Sequence, residues 1–152
     1  MGNAAGRKGK KKMWIGIAIT AGIIAAVSAG GILFTEQGRR EVRELKIAAM
    51  DFKKLRDGTY VGEYKGIKDH SRDTQIEATV SGGKLSGIKI KKGALDKTGN
   101  PAKLTGGLSI DDLFDKVIES QSLQVDVISG ATLTSKAHLK GLENALEQAQ
   151  VK

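Results

Sequence analysis

From Met13 to Phe34 the chain runs M-W-I-G-I-A-I-T-A-G-I-I-A-A-V-S-A-G-G-I-L-F without one charged side chain. As a helix, at about 1.5 Å per residue, that stretch spans roughly 33 Å, the depth of a bilayer core. A buried core helix rarely avoids charge over such a length, so the run predicts a membrane helix. Arg7, Lys8, Lys10, Lys11 and Lys12 precede it with no acid among residues 1–12, supplying five of the eight net positive charges. Trp14 takes the place of an interfacial aromatic, and Thr35, Glu36 and Gln37 follow the run. By the positive-inside rule, residues 1–12 are a cytoplasmic tail, 13–34 a single-pass helix, and everything after Thr35 extracytoplasmic. Cleavage as a signal peptide after the small residues Val27-Ser28-Ala29 is the rival reading, and it puts the remainder on the same side. Met1-Gly2 opens like a myristoylation site, but Gly6 stands where Ser or Thr is needed.

Composition removes other classes. With no cysteine there is no disulfide framework, thiolate metal site, iron–sulfur cluster or attached haem. The basic excess sits ahead of an apolar segment and aromatics are few, so the pattern speaks for membrane topology and against nucleic acid. H-E-x-x-H, P-loop, nucleophile-elbow and G-x-G-x-x-G patterns are all absent.

Beyond the apolar run, residues 35–56 read as a helical stalk that extends the membrane helix, with Val42, Leu45, Ala49 and Phe52 spaced 3-4-3 along one stripe that is expected to pack against the domain rather than form a coiled coil. Asp57-Gly58 marks a turn, and a domain over 57–150 follows. Thr59–Tyr64 alternates as a strand, and Thr74–Val80 alternates with Ile76, Ala78 and Val80 on one face. Ser81–Lys84 is a hairpin loop into a third strand, where the shift from Leu85 to Ile88 and Ile90 predicts a bulge near Gly87. Residues 91–107 carry no periodicity and read as irregular. Ser109 and Asp112 form a capping box for a helix burying Ile110, Leu113, Phe114, Val117 and Ile118. A last helix over about Ser135–Ala149 buries Leu139, Leu142, Leu146 and Ala149. The predicted class is α+β: a small, twisted antiparallel sheet with flanking helices, preceded by one transmembrane helix.

Between the last two helices stands Asp126-Val127-Ile128-Ser129-Gly130-Ala131-Thr132-Leu133-Thr134-Ser135. Gly130 and Ala131 leave backbone open to close approach. Thr132, Thr134 and Ser135 place hydroxyls beside the free amides of a helix start, which is an anion site. A simple cap is the usual use of one such hydroxyl, but three around Gly-Ala exceed what a cap needs.

The stretch D-x-x-S-G-A-T-x-T-S resembles the flavinylation motif of the FMN-binding domain family, which includes flavoprotein subunits of sodium-pumping NADH:quinone reductases and their ferredoxin-dependent relatives. Asp57–Tyr64 (D-G-T-Y-V-G-E-Y), the Gly-Gly-Lys hairpin and Q-S-L-Q-V-D before the motif carry the resemblance over about 57–150. It implies FMN joined by a phosphoester to the second threonine, here Thr134. Asp126, Ser129, Gly130, Ala131, Thr132 and Ser135 would recognise the phosphate or shape its loop. It also implies a separate magnesium-dependent flavin transferase that takes FMN from FAD and releases AMP. The expected role is an electron carrier, without a turnover chemistry of its own, between a membrane-bound or quinone-linked donor and an extracytoplasmic acceptor. Larger relatives carry an acidic-threonine stretch where this chain has Lys91-Lys92-Gly93-Ala94-Leu95. That departure favours a compact electron-transfer system over a large ion pump and carries no ring contacts across. The competing class is a non-redox module that grips an anionic ligand without covalent chemistry.

Of the remaining candidates, Lys136 and Lys140 are expected in solvent or near the phosphate. Tyr60 and Tyr64 are expected to pack in the core or edge, or to flank the flavin. His138, one turn beyond Thr134, is placed where it could tune the flavin but is expected to be an ordinary, partly buried histidine, and His70 is expected to be exposed.

Overall fold

The computed structural model describes residues 36–151. The expected basic tail and membrane helix lie outside the described residues, among which no helix is long and apolar enough to cross a membrane. Residues Gln37–Lys152 form a compact unit. In order, the described residues contain helix α1 (36–44), strands β1 (Gly58–Tyr64), β2 (Thr74–Ser81) and β3 (Lys84–Lys92), and helices α2 (Ile110–Ser120) and α3 (Thr132–Ala149).

The sheet is antiparallel in the order β1-β2-β3, and the class is α+β, as its alternation predicted. Ile76, Ala78 and Val80 of β2 face the core while the intervening residues face outward, the period-2 signature of a half-buried strand. The predicted bulge is present: Thr79 pairs with Gly87 and Val80 with Leu85, which leaves Ser86 unpaired. A second shift skips Lys91, between the Gln75–Lys92 and Ile76–Ile90 pairs.

Helix α3 crosses β1 and β2, and α2 lies against β3. Phe114, Ile76, Leu85, Leu139, Leu142 and Leu146 are almost wholly buried between them. At roughly 1.5–3 kcal/mol for each such side chain, this layer supplies the main folding drive. α3 also covers the free edge of β1. Asn144 Nδ2 donates to the Glu63 carbonyl at 2.7 Å and Gln148 Nε2 to that of Val61 at 2.8 Å, closing an edge that would otherwise invite another strand. The capping box forms as read, with the Ser109 N–H on Asp112 Oδ2 at 2.6 Å.

The helical stalk over 35–56 needs correction. Helix ends at residue 44 and 45–50 is irregular. Val42 and Phe52 are buried as the stripe required, whereas Ala49 is exposed. Tertiary hydrogen bonds draw the chain out of helix. Lys136 Nζ donates to the carbonyls of Arg43 (2.6 Å) and Leu45 (3.3 Å), taking acceptors that another turn would use. Gln124 Nε2 holds the Ile47 carbonyl at 3.2 Å, and Glu143 accepts the Ala48 N–H at 3.3 Å. This segment therefore lies along α3, inside the packed unit.

Candidate functional site

The Asp126–Ser135 stretch forms a turn and the first turn of α3, three residues earlier than the predicted helix start. The Ala131 N–H donates to the Ile128 carbonyl at 2.9 Å, closing a four-residue turn with Gly130 at its third position and φ +76°. Only glycine takes that conformation cheaply, and a Cβ there would also come within 2.8 Å of Thr105 Cγ2. Helix bonding begins at the Ser135 N–H on the Ala131 carbonyl, 2.9 Å.

The N-cap is Ala131, which has no side chain to cap with, and no side-chain cap bond is made. The amides of Thr132, Leu133 and Thr134 are therefore left without a protein acceptor among the described residues, at the positive end of the helix dipole. Thr134, the third helical residue, is half-buried, and its hydroxyl makes no hydrogen bond with any described residue.

Thr134 opens into a cleft of about 410 Å³. One wall is the segment from His70 to Asp73, which leads into β2; the other is Lys92–Ala94 with Ala102 and Leu104. His138 shares the floor with Thr134. Lys92 lies 3.8 Å from Asp73, and Arg72 lies 3.7 Å from Asp69, so each cation is partly offset. Asp73 is held below the ordinary carboxylate range: burial pushes it upward, but hydrogen bonds from the Gly66 N–H and His70, with nearby positive charge, outweigh that. A second hollow of about 580 Å³, beside Met50, Phe52, Lys84 and Gln121, contains no motif residue.

Among the seven residues of the motif reading, only Thr134 lines the cleft. Asp126, Ser129, Gly130 and Thr132 are exposed, and Ala131 is half-buried as the N-cap. Ser135 is fully buried and its Oγ accepts the Ile128 N–H at 3.2 Å, so its hydroxyl staples the turn to the helix.

Neither Tyr60 nor Tyr64 lines the cleft. The Tyr60 hydroxyl donates to the Arg56 carbonyl at 3.0 Å. Tyr64 is buried and donates to Glu41 at 3.1 Å; burial and that carboxylate push its pKa up to about 12. Lys140 pairs with buried Glu143 at 2.8 Å, and Lys136 caps α1. Neither lysine lines the cleft. His70 is exposed as expected, its Nδ1 3.2 Å from Asp73.

His138 is more constrained than expected. It is 2% exposed and makes two hydrogen bonds of opposite sense. The Thr134 carbonyl, 2.8 Å from Nδ1, can only accept, and the Ala94 N–H, 3.1 Å from Nε2, can only donate. Only the neutral imidazole with its proton on Nδ1 satisfies both. Burial pushes the pKa of His138 down, and the bond to the Thr134 carbonyl resists this in part.

Lys92 at the end of β3, with Gly93, Ala94, Ala102 and Leu104 from the stretch expected to be irregular (91–107), supplies one cleft wall. The usable signal was D-K-T-G-N-P at 96–101. Asp96 Oδ1 collects the Thr98 N–H (2.8 Å), the Thr98 hydroxyl (2.6 Å) and the Asn100 N–H (3.0 Å), folding those residues into a side-chain-capped turn. No cluster of His, Cys, Asp or Glu among the described residues could hold a metal.

A family model described as "FMN-binding domain" matches residues 69–147, from the loop before β2 almost to the end of α3. An "NADH:acrylate oxidoreductase" from Vibrio harveyi is 32% identical over 90 residues, a stretch that is 58% of this chain and 8% of that relative. The chain thus spans a small part of that protein's length. No solved structure matches the chain.

Proposed function

The chain belongs to the FMN-binding domain family, and from that premise we propose that it carries one FMN as a phosphate ester on the Thr134 hydroxyl and acts as an electron carrier at the outer surface of a membrane. The observation that carries this reading is the Thr134 side chain: half-buried, lining a cleft, and without a hydrogen-bond partner among the described residues. The three uncapped amides of the same turn suit a phosphate. The dipole contributes about 0.3–1 kcal/mol for an exposed anion and more for a partly buried one. Apolar Ala94, Ala102 and Leu104 on one wall, with Lys92 and Arg72 at the sides, suit a flat, largely apolar ring with polar edges.

In the loading step the Thr134 oxygen attacks the phosphorus on the riboflavin side of FAD. The bond from that phosphorus to the bridging oxygen breaks, AMP leaves with that oxygen, and the threonine proton is released. No carboxylate or imidazole among the described residues is hydrogen-bonded to the Thr134 hydroxyl. His138 already commits both ring nitrogens, and His70, on the cleft's other side, has its Nδ1 on Asp73. Deprotonation therefore falls to a separate magnesium-dependent flavin transferase. Bound FMN supplies the electron chemistry, and the protein supplies position and charge.

Support for a redox role comes from the relative whose name describes an NADH-linked oxidoreductase. Support for the membrane comes from the uncharged run 13–34 and the five cations before it. On this reading a membrane-bound, quinone-linked donor reduces the domain and an extracytoplasmic acceptor oxidises it. A covalent ester keeps the flavin in a compartment where lost cofactor is not replaced.

The test is the full chain co-expressed with a flavin transferase, as wild type and Thr134→Val. Wild type should gain one FMN-sized mass increment and keep its flavin fluorescence in a denaturing gel; the variant should show neither. Unmodified wild type beside a demonstrably active transferase would refute the proposal, and an adduct on the variant would place the ester elsewhere.

A further inference from the structure

The segment between β3 and α2 touches helix α3 at one place and the motif's turn at another. Beside Thr134, the Ala94 N–H donates to His138 Nε2 at 3.1 Å. At the motif's turn, Thr105 Oγ1 donates to the Gly130 carbonyl at 3.5 Å. The segment closes on itself, with the Ala102 N–H on the Ala94 carbonyl at 2.9 Å and, around Thr105, the Leu104 N–H on the Leu108 carbonyl at 2.7 Å. Ala94, Ala102 and Leu104 are the apolar residues of the cleft. Ala94, Leu95 and Leu104 pack against the core, and the polar ties between that wall and the helix bearing Thr134 are a shorter contact at His138 and a longer one at Thr105.

The approach at His138 is close enough to exclude a side chain at Gly93. A Cβ there would lie 2.5 Å from His138 Nε2 and 2.8 Å from Thr74 Oγ1. The imidazole is itself tied to the Thr134 carbonyl, on the residue that bears the free hydroxyl, at 2.8 Å. One ring thus spans from the backbone of Thr134 to the backbone of the opposite wall, with both nitrogens committed and 2% of its surface exposed.

We propose that His138 is a positioning residue of the flavin site: its neutral ring draws the 93–104 wall onto α3 and fixes where the flavin ring of the Thr134 ester rests. The inference builds on the ester reading but makes a separate claim. His138 does not touch the Thr134 hydroxyl, so loading proceeds without it. What it governs is how the loaded ring is held.

Two variants of the full chain separate the roles. His138→Leu nearly keeps the ring's volume but removes the acceptor, while His138→Gln returns an acceptor, Oε1, at about the reach of Nε2. With the transferase present, both should carry the same FMN-sized increment as wild type. The Leu variant should lose at least half of the visible circular dichroism of the bound flavin and gain about twofold in native-state flavin fluorescence. The Gln variant should restore both signals toward wild type, a recovery that a merely space-filling role would not produce. In unloaded protein, the Ala94 amide should exchange its hydrogen at least tenfold faster in Leu than in wild type or Gln. Wild-type spectra in the Leu variant, or no recovery with Gln, overturn the proposal, and so does loss of the adduct from a folded Leu variant. If wild type itself takes no flavin, the ester reading falls and Ala94 exchange decides alone. Faster exchange in Leu, reversed in Gln, upholds the wall-holding role, and unchanged exchange overturns it.

Discussion

Replacing Gly93 by alanine tests the packing of the cleft wall without touching Thr134. Gly93 has φ +128°, a backbone conformation that L-residues rarely adopt, and holding a non-glycine residue in such a sparsely populated region costs about 1–3 kcal/mol. The new Cβ would meet His138 Nε2 at 2.5 Å, a contact that real structures do not tolerate, so the ring or the wall must move. Movement forfeits the Ala94–His138 bond, about 0.5–1.5 kcal/mol net, and more if the amide is left dry. The two costs together come to about 1.5–4.5 kcal/mol. For a unit of the size of Gln37–Lys152, an unfolding entropy of about 2.1 cal/mol/K per residue makes each kcal/mol worth about 4 °C. Gly93→Ala should therefore lower Tm by about 6–18 °C in a calorimetric or circular-dichroism melt. The control is Gly99→Ala, also at positive φ (+83°) but with nothing within 4 Å of the added Cβ. It should lose only the left-handed strain, about 1–2 kcal/mol, or roughly 4–8 °C. Equal losses in the two variants would mean that the approach to His138 contributes nothing, and the reasoning would fail.

Burial holds the folded pKa of His138 below its ordinary value, so the unfolded chain takes up the proton first. The stability it provides is whole above the unfolded pKa of about 6.5 and is lost as pH falls from there towards the folded value. Urea midpoints should drop between pH 7.5 and 5, with a slope of at most about 1.4 kcal/mol per pH unit, and His138→Leu should flatten the drop. Asp57, Asp96 and Asp112 have lowered pKa values, mainly through hydrogen bonds to their carboxylates, and their contribution goes only near and below pH 4. A wild type flat over the upper window would refute the assignment. Ser135→Ala leaves the buried Ile128 N–H without its acceptor and should cost about 1–3 kcal/mol by urea denaturation, whereas exposed Thr132→Ala should cost about 0.5 or less. Similar values for the two would remove Ser135's role as the staple of the turn.

The parts of the fold that repeat a period were legible from sequence. Ile76, Ala78 and Val80 placed β2, and the parity change from Leu85 to Ile88 placed the bulge beside Gly87, because one face of the sheet is buried and every side chain there must choose a side. The second bulge, at Lys91, changes only which solvated lysine faces where, so hydropathy holds no trace of it. The Ser109–Asp112 box announced α2 because a capped start has a chemical signature. α3 was placed three residues late for the opposite reason: its N-cap is Ala131, and no side chain closes the end. A start signal is missing where the amides stay open for another acceptor, so local rules failed at the site itself. The cleft wall was not legible, because the one carboxylate of Asp96 organises residues 96–100 and the His138 contact joins positions 44 residues apart.

The N-terminal boundary of the domain supplies the last prediction. Turn chemistry at Asp57-Gly58 suggested a domain starting there, yet the packed unit begins at Gln37. Val42 is 3% exposed against the core formed with Tyr64 and Ala137. The carboxylate of Glu41 accepts the Ile67 and Lys68 amides at 2.8 and 3.0 Å, and so anchors the loop that leads into the His70–Asp73 wall. Removing residues up to Met50 exposes the surface under Val42, frees that loop and leaves buried Glu143 with only Lys140 as its partner. Burial of one valine and the loss of these bonds together amount to about 3–5 kcal/mol, a large share of the roughly 5–15 kcal/mol of an ordinary domain. A chain begun at Gln37 should unfold cooperatively. One begun at Asp51 should unfold at a clearly lower urea midpoint, with faster amide exchange over 66–73. It follows that residues 45–50 belong to the packed unit and are not a hinge. Equal midpoints for the two chains would return those residues to the role of a linker and detach the cleft wall from α1.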